Sequence, residues 1–132
     1  MEPQAVLEME FADSEISQIQ WHGDDLHVVF SAVSATRHAL GEAPVSGFLQ
    51  GVVLVLQRCV PVHGVDLLGR IRSGSLRVQG QPPQIRIFVP SRWDLPLDLE
   101  LEPAQSSIVL LQAQALECRL QAGGVFRESL FC

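Results

Sequence analysis

Leu97-Asp98-Leu99-Glu100-Leu101-Glu102 alternates apolar and acidic residues without a break. Successive side chains of a strand point to opposite faces, so this stretch sets leucines on one face and carboxylates on the other. It reads as a half-buried β-strand. The same period of two, punctuated by Gly and Pro, runs through most of the chain. It predicts strands near residues 5–11, 16–21, 26–33, 48–59, 66–72, 75–79, 84–89, 97–102, 108–120 and 125–131.

The connections are short. Trp21-His22-Gly23-Asp24-Asp25-Leu26 reads as a hairpin loop, and Gly74 and the stretch 80–83 as turns. Pro90 and Pro96 bracket an irregular crossing that carries Arg92 and Trp93, because proline cannot donate to a central ladder. Residues 34–46 form the only long loop in this reading. Residues 48–59 are apolar at both parities and read as a central strand buried on both sides. The stretch 105–121 is ambiguous. Its Ala, Gln, Leu and Glu favour helix, with Gly123 as a C′ residue, whereas as a strand it needs a bulge near Ala115. The fold expected is a single all-β domain over residues 1–132, an antiparallel barrel or two-sheet sandwich of roughly 8–10 short strands. An α+β fold with one helix near 105–121 is the alternative.

All nine basic residues are arginine, and lysine, asparagine and tyrosine are absent. Schiff-base and P-loop lysines and catalytic tyrosines are therefore excluded. The joint absence of residues with A/T-rich codons points to a GC-rich, bacterial source. A net charge of −6 opposes loose binding to nucleic acid or to an anionic membrane. No basic and apolar leader opens the sequence, and the longest apolar run, 51–56, is far too short to span a bilayer. Cys59, Cys118 and Cys132 form no CxxC pair, which suits a reducing, cytoplasmic location. Cys118 falls on an apolar face as a small hydrophobe, and Cys132 stands too near the end for a prenylation box.

Candidate chemistry is sparse. Asp25, His27 and Ser31 share a strand face, but residues two apart on a strand lie about 7 Å apart, too far for the roughly 3 Å contacts of a triad. His22, Asp24, Asp25 and His27 cluster at one hairpin and are the metal-ligand candidates, though their spacing matches no zinc motif; turn chemistry and solvation account for them as well. His38 and His63 lie in or beside loops and read as surface residues. Arg70, Arg72, Arg77 and Arg86 occupy polar strand faces, where cross-strand pairing with carboxylates such as Asp98 and Glu100 explains them better than a single-stranded nucleic-acid surface.

Phe11-Ala12-Asp13-Ser14-Glu15-Ile16, followed by Ile19, Gly23-Asp24, Leu26, Val28 and Phe30, resembles the opening of small uncharacterised bacterial all-β proteins. Those proteins often begin Phe-His-Asp-Ser, and Ala12 stands here where the histidine falls. Some of them resemble immunity proteins that neutralise a toxin, so the resemblance implies a protein partner and carries over no catalytic residue. Read physically, Asp13 and Ser14 can cap backbone amides where one strand turns into the next.

With 47% hydrophobic residues and 10 glycines besides, the chain exceeds the roughly 45–50% that globular proteins carry with glycine counted. The excess calls for an apolar surface covered by a partner, most economically a second copy in a homodimer. The functional expectation is a non-enzymatic, cofactor-free β-domain that binds itself or another protein. The alternatives are a barrel holding a small apolar ligand and, less favoured, a metal-dependent hydrolase using the His22–His27 hairpin.

Overall fold

In the computed structural model, which describes residues 5–63 and 66–129, every regular element is a β-strand. The strands are β1 (Val6–His22), β2 (Asp25–His38), β3 (Val45–Gln57), β4 (Val60–His63), β5 (Gly69–Val78), β6 (Arg86–Val89), β7 (Ser91–Trp93), β8 (Leu97–Pro103), β9 (Val109–Ala113) and β10 (Ala115–Glu128). Leu97, Leu99 and Leu101 of β8 are buried, and Leu99 lies opposite buried Leu76 of β5 and Leu111 of β9. The leucine face therefore continues across three strands, as the alternation requires.

All pairings are antiparallel, and the strands form one sheet in the order β4-β9-β8-β5-β1-β2-β3-β10-β7, with β6 attached to β1. The sheet does not close into a barrel. The segment 86–93 pairs with β1 through β6 and with β10 through β7, and Pro90 interrupts it between the two. With no helix among the described residues to cover it, the sheet buries its apolar face by folding over itself, in the manner of a sandwich. One cluster gathers Phe11, Phe30, Leu54, Leu76, Leu99, Leu111 and Leu116 from seven strands. Among the described residues no helix is long and apolar enough to cross a membrane.

The structure corrects several sequence-based expectations. No helix forms near 105–121. The chain makes β9, breaks at Gln114 and continues as β10, because β9 pairs with β8 and β4 whereas β10 pairs with β3 and β7. The irregularity expected near Ala115 is thus a passage between two regions of the sheet, with the Gln114 amide donating to the Gln57 carbonyl. The expected strands 5–11 and 16–21 are one strand, as are 66–72 and 75–79 from residue 69 onward. The long loop shrinks to 39–44, since β2 and β3 pair as far as Arg37 opposite Val45. Residues 91–93, expected to be irregular, form the short strand β7. The end of the last expected strand, 130–131, lies outside the described residues, as does Cys132.

The central strand was read correctly as apolar at both parities, but its two faces are buried differently. Val52, Leu54 and Leu56 enter the core, while Val53 and Val55, 5% and 3% exposed, are buried outside it. Their neighbours across the sheet are Val29 and Arg119 for Val53, and His27 and Glu117 for Val55. Side chains on the flanking strands thus border the valines on this face. Phe48, at the other end of the strand, is 46% exposed.

Candidate interaction surface

The β1–β2 hairpin is built as its sequence suggests. His22 and Asp25 close the ladder around Gly23 and Asp24, and Gly23 takes φ 63°, the positive value that two-residue hairpin loops need at their first position. Gln20 faces His27, so His22 and His27 are diagonal neighbours on the outer face, and their rings meet tilted at 45° with centroids 4.3 Å apart. Burial holds the His27 imidazole below its ordinary pKa, helped by His22 and Arg119 and opposed by Asp25.

The carboxylates of the hairpin do not join the imidazoles as ligands. Asp25 Oδ1 accepts from the backbone amide of Arg58 at 3.1 Å, and the Asp24 carbonyl accepts from the Cys59 amide at 2.8 Å. Together these contacts tie the hairpin tip to the corner after β3. Among the described residues no group of three or more His, Cys, Asp or Glu side chains is placed to hold a metal. Ser31 turns to Glu15, donating to its Oε1 at 2.8 Å, rather than to His27.

Beside the hairpin runs an ionic chain that spans β10 and β7. Arg119 and Arg92 both donate to Glu117, Arg92 at 3.1 Å, and Arg92 also donates to Asp94 at 2.8 Å. The hydrogen bond from Arg119 is the main reason the Glu117 carboxyl is held below its usual range, and Asp94 is the main reason the Arg92 pKa is raised. Sequence reading missed this chain. Only the pairing of Glu117 with Arg92, across 25 residues, brings the two ends together.

The arginines on polar faces do stand across from carboxylates, three of them in ion pairs with carboxylates other than Asp98 and Glu100. Arg70 meets Asp13 at 2.9 Å, Arg86 meets Glu10 at 2.8 Å and Arg72 meets Glu102 at 3.5 Å. Arg77 lies opposite Asp98 in the ladder. His38, expected on the surface, sits 3.4 Å from Glu8. Such exposed pairs contribute about 0–1 kcal/mol each, so they shape the surface more than they hold the fold.

The clefts are open, and polar and apolar groups line them together. One, of about 580 Å3, lies at one end of β5, β8 and β9 and is rimmed by Gln79, Gln81, Gln112 and Gln114. Another, of about 490 Å3, has Ser91, Arg92, Glu117 and Cys118 in its wall. Burial pushes the Cys118 thiol up to about 12 and the Cys59 thiol up to about 11, so neither is a ready nucleophile at neutral pH.

What the surface does present is strand edge and exposed hydrophobic side chain. β1 pairs with β5 only as far as Ile16 opposite Gly69, then runs on to His22 with β2 as its sole partner among the described residues. Along this stretch Ile19 is half-buried against the core and Trp21 is 49% exposed. Comparison with protein-family models, curated proteins and solved structures gives no match to this chain. The class defined by fold and surface is accordingly an all-β, single-sheet domain with cross-strand ion pairs on its polar faces.

Proposed function

We propose that the protein is a non-enzymatic binding domain whose ligand is a protein, either a second copy or a different chain, acting in the bacterial cytoplasm. One observation carries this reading. The side chains best suited to chemistry are already engaged with one another or with backbone, as Asp25, Ser31, Glu117 and Arg92 show, while Trp21, Phe48 and Phe88 stand about half exposed. The resemblance of residues 11–30 to the opening of small bacterial all-β proteins, some of which resemble immunity proteins, supports the same reading.

A barrel holding a small apolar ligand has less support, since the sheet is open and its interior is filled by side chains. A metal-dependent hydrolase has less again, because the hairpin offers two imidazoles tilted against each other and the Asp25 carboxylate accepts from the Arg58 backbone amide. Affinity capture of the tagged protein from its native extract, alongside native mass spectrometry of the purified chain, separates the readings. A stoichiometric protein partner or a second copy is the expected result. Co-purifying lipid, or a stoichiometric metal lost when His22 and His27 are both changed to Gln, overturns it.

A further inference from the structure

Five of the nine arginines are ion-paired with carboxylates, and Arg37 lies over the Phe126 ring, 5.2 Å from its centroid. Among the described residues the guanidinium groups of Arg58, Arg77 and Arg127 have neither kind of partner, and two of these three line neighbouring clefts. Arg77 has a carboxylate residue beside it in the ladder and does not pair with it. Four arginines lie directly opposite such a residue: Arg70 opposite Glu15, Arg77 opposite Asp98, Arg86 opposite Glu10 and Arg92 opposite Glu117. Three of them are ion-paired, and Arg77 alone is not. Arg77, Asp98 and Gln112 follow one another across β5, β8 and β9, and they line the cleft of about 580 Å3 together with Gln79, Gln81 and Gln114. A second cleft, of about 510 Å3, shares Gln114 with the first and adds Gln57, Arg58, Asp25 and Asp94. Asp25 is already bonded to the Arg58 backbone amide and Asp94 to Arg92, whereas Arg58, Arg77, Asp98 and the carboxamides of Gln79, Gln112 and Gln114 are unengaged among the described residues.

We propose that the two clefts form one site for an oligosaccharide, a chain of hydroxylated rings that crosses from Arg77 to Arg58 over Gln114. The site is separate from the protein-binding reading and stands or falls without it. A hydroxyl both donates and accepts, so it is well met by planar side chains that carry several donors or acceptors. Asp98 offers two acceptor oxygens, each guanidinium a fork of donors, and each carboxamide both functions. The backbone amides of the rim are already used: Gln79 donates to Pro96, Gln81 to Val78 and Gln114 to Gln57. A polypeptide that adds to a sheet through main-chain hydrogen bonds therefore finds fewer partners here than a ligand met by side chains. Arg77 and Asp98 oppose each other in charge, so neither a simple anion nor a simple cation meets an unopposed field. Val78, Leu97 and Ala113 line the first cleft but are at most 4% exposed, which leaves an apolar ligand little to cover.

Heteronuclear NMR of the full, isotope-labelled chain tests the proposal, with cellotetraose, maltotetraose, chitotetraose and mannotetraose each titrated to millimolar concentration. At least one of these sugars is expected to shift the side-chain amide signals of Gln79, Gln112 and Gln114 together. Asp98→Ala and Arg77→Met should each weaken that binding about tenfold or more, as loss of hydrogen bonds to a charged group does. Arg127→Met, which removes the unpaired arginine outside both clefts, should leave it unchanged. Exposed groups without an ion pair are being replaced, so the thermal midpoints of the three variants should stay close to that of the parent protein. Absence of a shift with every one of these sugars, or binding that survives both Asp98→Ala and Arg77→Met, overturns the proposal. Tetraglycine or inorganic phosphate moving the same signals as strongly as the best sugar also overturns it, by making the clefts a peptide or an anion site.

Discussion

Ser14 Oγ donates a 2.6 Å hydrogen bond to the carbonyl oxygen of Phe11, and both residues are fully buried. Between them Asp13 takes φ 61°, and its carboxylate reaches Arg70. The pair turns β1 inside its own length, from β6 at Leu7–Glu10 to β5 at Ser14–Ile16. Local capping was legible at this pair, but the group capped is a carbonyl, not an amide. Ser14→Ala removes the donor and leaves the carbonyl short of a partner in a dry site, which should cost about 1–3 kcal/mol. A lower denaturant midpoint with an unchanged slope is the expected readout.

Leu54 and Val53 are adjacent and both buried, yet only Leu54 belongs to the core cluster. Leu54→Ala should cost about 2–5 kcal/mol, whereas Val53→Ala should cost about 1–2 kcal/mol because the side chains flanking it can close over the gap. The same contrast holds in β8, where Leu99→Ala should rank with Leu54→Ala and exposed Glu100→Ala should shift stability by about 0.5 kcal/mol or less. Denaturant midpoints of the four variants give the order directly.

Gly47 marks the closest approach of β3 to β10. A Cβ built there would stand 2.2 Å from the carbonyl oxygen of Arg127 and 2.9 Å from the Phe126 ring. The ring could move aside, but the backbone oxygen can yield only if the two strands part. Gly47→Ala should therefore destabilise by about 2–4 kcal/mol. Hydrogen exchange should rise first at Arg127 and Glu128, whose partners are Phe48 and Gly47.

His27 supplies a pH dependence whose sign follows from its lowered pKa. The unfolded chain takes up a proton near the ordinary value of 6.5, while the folded chain resists it because of burial and the neighbouring His22 and Arg119. Stability linked to His27 is thus fully present above about pH 6.5 and is lost as the pH falls from there through the folded pKa. His27→Gln should flatten the decline in thermal midpoint between about pH 7 and 5 relative to the parent protein. An equal decline in both proteins would assign the acid sensitivity to other groups.

The all-β class, the Trp21–Leu26 hairpin, the dual apolar parity of the central strand and the inward thiol of Cys118 could all be read from the residues themselves. Each depends on side-chain period or on turn chemistry, which are properties of a few consecutive residues. Tertiary structure decided the rest. Arg70 finds Asp13 rather than Asp98 or Glu100, because the start of β5 pairs with β1 before its length pairs with β8. Helix-favouring residues after Gln105 become strand, because two separate ladders claim their backbone groups and those hydrogen bonds outweigh a propensity of a few tenths of a kcal/mol per residue. The ionic chain on Glu117 likewise exists only once distant strands have chosen partners. Register between strands is set by burial and backbone pairing across the whole sheet, and a period of two in the sequence names the faces of a strand without naming its neighbours.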